Sequence, residues 1–164
     1  MSARIARGGA ALGALLVLAS AGTAGAQTAT QTVTFQVTAI NQVSVAGSPS
    51  LTVSTATAGS TPTAATDATA TWAVTTNMTT AKITASIPTA MPAGLTLSTN
   101  LTAPTGATSL GLRALGTTAV DVVTGITRVA QGSLGITYQL DATLAAGVVA
   151  SGSRVVTYTI TGGT

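Results

Sequence analysis

Histidine, cysteine and glutamate do not occur in this 164-residue sequence, and charged side chains make up 5% of it and aromatic ones 2%. Without histidine, no side chain of ordinary pKa changes charge between about pH 5 and 8, so the commonest general acid-base group and the commonest metal ligand are both missing. Without cysteine there is no disulfide, no thiolate nucleophile and no lipid-modified cysteine at an export cleavage site. The only carboxylates are Asp67, Asp121 and Asp141, scattered along the chain. Asp121 and Asp141 fall on different predicted elements, whereas a glycosidase pair must face one groove at a set separation. Each aspartate reads as a solvated surface residue, and Asp67 as a turn former that offers at most a weak cation site together with backbone carbonyls. Calcium wants clustered oxygens that isolated aspartates do not provide. Lys82 lacks the Ser-x-x-Lys spacing of a hydrolase, because Thr79 stands three residues before it. The sequence therefore predicts no catalytic residue, no metal site, no cofactor and no enzyme.

Residues 1–26 read as an export signal. Arg4 and Arg7 supply a basic start, Ala10 to Ala21 is apolar but for Gly13 and Ser20, and Ala24-Gly25-Ala26 forms a small-x-small cleavage site. Cleavage leaves Gln27 at the new N-terminus. The apolar run is shorter than the ~20 residues a helix needs to cross a bilayer, so no membrane insertion is expected after cleavage. The arginines are not paired as in a twin-arginine signal. Lys82, Arg113, Arg128 and Arg154 then remain against the three aspartates. The sequence pI of about 10.2 reports scarce carboxylates rather than a basic face, and four isolated cations do not make the cluster that nucleic acid or an anionic membrane requires. The expected location is secreted or cell-surface, with the periplasm as the alternative.

What is abundant is threonine, which occupies 34 of the 138 residues from Gln27 onward. A β-branched polar side chain suits the solvated face of a pleated sheet. Apolar residues recur at every second position, which makes 27–164 an all-β domain. Val33, Phe35, Val37 and Ala39, continued by Val43 and Val45, predict a long first strand bent near Asn41. Further strands are predicted around Leu51, Val53 and Thr55; Ala70, Trp72 and Val74; Ile83, Ala85 and Ile87; and Leu95 to Leu101. Others follow around Leu110, Leu112 and Ala114; Leu134 to Ala142; and Val156, Tyr158 and Ile160. The segment Thr117 to Arg128 reads equally as an edge strand or a helical turn. Turn-forming clusters at Gly47-Ser48-Pro49, Gly59 to Pro62, Met91 to Gly94, Pro104 to Gly106 and Gly147 to Gly152 separate these runs. About eight short strands spaced by turns predict a single immunoglobulin-like or pilin-like antiparallel β-sandwich with Greek-key connections.

Phe35, Trp72 and Tyr138 share parity with aliphatic neighbours, which predicts that they fill the core rather than stack a sugar. The sequons Asn77-Met78-Thr79 and Asn100-Leu101-Thr102 fall near strand ends, at a frequency that a threonine-rich chain produces by chance.

The C-terminal stretch Thr137 to Thr143, then Ala146-Gly147, then Val155 to Ile160, resembles the closing hairpin of secreted bacterial pilin-like and coat-like β-sandwich subunits. The resemblance covers about the last 30 residues, transfers no functional residue, and lacks the cysteine pair common in chaperone-assembled pilins. It implies an exported structural or adhesive subunit of a surface fibre or matrix. The N-terminal strand, residues 27–40, is the expected means of self-association, by adding to the sheet of a neighbour; the alternative is pairing within its own sheet. The second functional reading is a secreted carbohydrate- or protein-binding module whose ligand is a surface glycan or protein.

Overall fold

The computed structural model describes residues 25–163, so the expected leader falls, up to residue 24, outside the described residues. The chain divides into two units, Met1–Gln36 and Val37–Thr164. All regular structure described in the second unit is β, apart from one 3-10 turn at Leu144–Ala146: β1 (Asn41–Ala46), β2 (Ala65–Thr76), β3 (Ala81–Ser86), β4 (Leu95–Leu101), β5 (Thr108–Ser109), β6 (Arg113–Ala114), β7 (Val120–Ile126), β8 (Val129–Ala142) and β9 (Thr157–Thr161). They form two antiparallel sheets, one ordered β1-β2-β8-β4-β6 and the other β5-β7-β3-β9. No helix among the described residues is long and apolar enough to cross a membrane.

The two sheets share one core. Trp72 and Val74 of β2, Leu134 and Ile136 of β8 and Leu101 of β4 meet Ile83 and Ala85 of β3 and Val122, Val123 and Ile126 of β7 in a single buried cluster. This is the β-sandwich expected from the alternation, and every second residue of β3 is sealed while the threonine and lysine between them are half-exposed. Trp72 is 1% exposed and its indole N–H donates to the Thr102 carbonyl at 3.1 Å, which satisfies the one polar atom of that ring.

Four expectations change. The long first strand is only Asn41–Ala46; residues 25–40 form no strand, and Phe35, expected in the core, is 90% exposed. Leu51 and Val53 are half-buried but not in a strand, and that region holds only an isolated bridge between Ala56 and Pro62. The strand expected from Leu110 to Ala114 is split into β5 and β6, which belong to different sheets, leaving Leu110 and Leu112 partly exposed and burying Leu115 instead. The C-terminal stretch that resembles a hairpin is not one, because β8 lies in the five-stranded sheet and β9 in the other, and the chain crosses between them.

The undecided segment Thr117 to Arg128 is a strand, β7, and it lies inside its sheet between β5 and β3. Its pairing with β3 slips twice, so that Ala81 and Ile83 face Ile126 and Val123 while Thr84 faces Asp121. Each slip adds one residue on β7, a β-bulge, which places Val122 and Val123 both in the core.

Candidate functional site

The N-terminal arm and its root come first. From Gly25 to Val37 no backbone hydrogen bond is formed among the described residues. Val33, Phe35 and Val37 are 72%, 90% and 79% exposed, a stripe at spacing two with threonine or glutamine between its members. The stripe ends where Asn77, in the turn after β2, takes hold of the chain. Its side-chain Oδ1 accepts from the Ile40 N–H at 2.7 Å and its Nδ2 donates to the Thr38 carbonyl at 2.8 Å. Its own backbone N–H donates to the Ile40 carbonyl at 3.2 Å. One side-chain amide thus stands in for a peptide group of a neighbouring strand and continues the β1–β2 pairing outward past Asn41, whose carbonyl-type Oδ1 accepts from the Thr76 hydroxyl at 2.6 Å.

The open side of the sandwich is the second feature. β1 ends the five-stranded sheet and β9 ends the other, and the two lie against each other. Val43 of β1 packs on the core, yet Val45, on the same face of the strand, is 53% exposed. On β9, Tyr158 and Ile160 point inward but are only half-buried, and Val155 just before the strand is 70% exposed. Thr161, the last residue of β9, carries the one buried side-chain polar atom without a partner among the described residues, its Oγ1.

Behind that edge the core is polar at one point. The Thr99 hydroxyl of β4 and the Tyr158 hydroxyl are 2.9 Å apart, and Tyr158 donates to the Tyr138 hydroxyl of β8 at 3.0 Å. Burial pushes the Tyr158 hydroxyl far above its ordinary pKa, and burial also raises that of Tyr138. The trio ties β9 to the facing sheet.

Each of the three aspartates has a polar partner within the fold. Asp67, expected as a turn former, lies in β2, where Oδ1 accepts from the Thr69 hydroxyl and N–H at 2.6 and 2.8 Å and Oδ2 from the Ser50 N–H at 2.9 Å. These bonds, that from the Thr69 hydroxyl foremost, lower its pKa, and they shape the bulge that β2 makes between Asp67 and Ala70. Asp121 pairs with Lys82 across β3 and β7 at 2.9 Å, with both side chains about two-fifths exposed, a setting in which such a pair is worth under about 1 kcal/mol. Asp141 accepts from the Gln139 amide. No three His, Cys, Asp or Glu residues come together among the described residues.

Both sequon asparagines are in use. Asn77 holds the arm root, and Asn100 accepts from the Ser109 hydroxyl at 3.0 Å. A wide-open concavity of about 440 Å³ lies beside the arm root against Ile40, Asn77, Arg128 and Val129. Arg128 reaches it from the short crossing between β7 and β8, where its own φ is +42°.

Sequence reading found the stripe but missed the Asn77 clamp and the Thr99–Tyr158–Tyr138 trio, both built from residues more than 19 positions apart. The described residues form a two-sheet antiparallel β domain, and ahead of it residues 33–37 carry an exposed apolar stripe without a backbone partner among the described residues. Comparison with protein-family models, with curated proteins and with solved structures gives no match.

Proposed function

We propose that this chain is a non-catalytic exported structural or adhesive subunit at the cell surface, which assembles into a fibre or matrix by lending its N-terminal segment, residues 27–40, as a strand to a neighbour. One observation carries the reading: a five-residue stripe, Val33 to Val37, has the side-chain period of a half-buried strand, while its apolar side chains are exposed and its backbone has no partner among the described residues. Unpaired backbone and exposed apolar side chains are what strand addition satisfies, with main-chain bonds giving affinity and alternate side chains giving register. Burying one phenylalanine and two valines contributes roughly 1.5–3 kcal/mol each.

The alternative, a module that stacks a carbohydrate, has less to stand on. Trp72 and Tyr138 are buried, and Phe35, the aromatic most open to solvent, sits in the stripe itself. The reading is tested on the secreted chain by light scattering and electron microscopy. Concentration-dependent assembly that is abolished by Phe35→Asp supports it. A monodisperse monomer at millimolar concentration, or turnover in an ester and glycoside hydrolysis panel, overturns it.

A further inference from the structure

We infer that the arm of one copy adds to the free edge of β9 in a second copy and closes the open side between β9 and β1. The inference rests on the strand-donor reading and says where the donated strand goes. Three observations on the acceptor support it, each independent of the arm.

The first is how the edges are protected. Edge strands in natural proteins are blunted by shortness, charge, proline or bulges. On one side of this sandwich the edges are β5 and β6, two residues each, with Arg113 on β6. On the other side β9 reads Thr-Tyr-Thr-Ile-Thr, without charge or proline, and its pairing with β3 runs unbroken from Thr157 to Thr161. Its far side pairs with nothing among the described residues. The second is what lies uncovered inside. A strand beside β9 would run along the side where β9 and β1 meet, in reach of the uncovered parts of Val45, Tyr158 and Ile160. A strand beside β1 would lengthen the five-stranded sheet further and leave Val45 as open as before. The third is the count of strands among the described residues, five facing four, where the shorter sheet ends at β9 and at the two-residue β5.

The occupant follows from fit. Val33 to Val37 spans five residues, as β9 does, so both are about 13–17 Å long at the rise of an extended strand. Three inward side chains on the arm would alternate with Tyr158 and Ile160. Neither segment carries a charge, so the chemistry is main-chain hydrogen bonding plus apolar packing, and the association should not weaken with salt.

The absence of cysteine makes a direct test available, since any introduced cysteine is unique. Thr34→Cys, on the outward face of the arm, is mixed under mild oxidation with full-length chains carrying Thr157→Cys, Thr159→Cys or Thr161→Cys in turn, because adjacent strands bring opposed residues within disulfide reach. Thr108→Cys on β5 is the control, and light scattering reports assembly separately. The expected result is an intermolecular disulfide to at least one β9 position, at least tenfold above the Thr108→Cys control and lost when Phe35→Asp is added to the donor. Assembly with equal linkage to β5, or with no linkage to β9, overturns the acceptor assignment while the strand-donor reading stands. A monomer without linkage overturns both. So does a disulfide formed within a single dilute chain carrying Thr34→Cys and Thr159→Cys, which would mean that the arm closes its own domain.

Discussion

Asn77 shows how much one side chain does here. Replacing it by alanine removes two hydrogen bonds from a solvent-facing site, each worth about 0.5–1.5 kcal/mol. Hydrogen exchange at the Ile40 amide should therefore accelerate about three- to tenfold in Asn77→Ala, with core amides such as that of Ile83 unaffected. Tyr158 is the counterpart inside the domain. Because its pKa is raised in the folded state, it stabilises the fold fully below the unfolded-state value of about 10, and that contribution is lost as pH climbs above it. Alkaline unfolding followed by the fluorescence of Trp72 should begin above about pH 10 in the native chain. Tyr158→Phe should flatten that alkaline limb and lower neutral stability by about 1–3 kcal/mol, since Thr99, fully buried, loses a partner. Neither residue announced itself in sequence. Asn77 reads as a chance sequon and Tyr158 as one more residue of the last strand, because the partners of each, Thr38 and Ile40 in one case and Thr99 in the other, are brought near only by the fold.

At the level of strands, strict alternation was readable and interrupted alternation was not. Ile83, Ala85 and the run Leu95 to Leu101 keep one parity and were located closely. In β8, Trp72 faces Leu134 but Val74 faces Gln131, so an extra residue at Ser133, with φ +57°, flips the parity and hides the first five residues of the strand. The two slips of β7 did the same to Thr117–Arg128. The arm failed in the opposite direction: Val33, Phe35 and Val37 alternate cleanly, but alternation states that a segment can pair, not that its own sheet receives it. Stability should therefore separate the two stripes. Ile83→Ala, at a fully buried position, should cost about 2–5 kcal/mol, whereas Phe35→Asp, at an exposed one, should leave the melting temperature of the monomer within a degree or two while removing assembly. Gly94 belongs with the first group. Its φ is +80° and a methyl there would lie 2.7 Å from the Ala146 backbone nitrogen, so Gly94→Ala should destabilise by more than about 1 kcal/mol and loosen the turn before β4.

For the molecule as a whole, the missing residue types set the response to conditions. No side chain with an ordinary pKa between 5 and 9 is present, and the resolved shifts move Asp67 downward and the tyrosines upward, away from that window. Thermal stability should be flat from pH 5 to 9, falling in acid as Asp67 gains its proton and in alkali as unfolded tyrosine ionises. A melting temperature that moved by more than a few degrees inside the window would contradict this account. In a chain of copies joined arm to edge, the register of β1 with β2 acquires another meaning. Load entering at Thr38 and drawn along the strand axis meets the Asn77 amide first and then six paired residues, Asn41 through Ala46, sharing the pull in shear instead of parting one rung at a time. Such a link resists tension by its geometry, with no covalent staple anywhere in it.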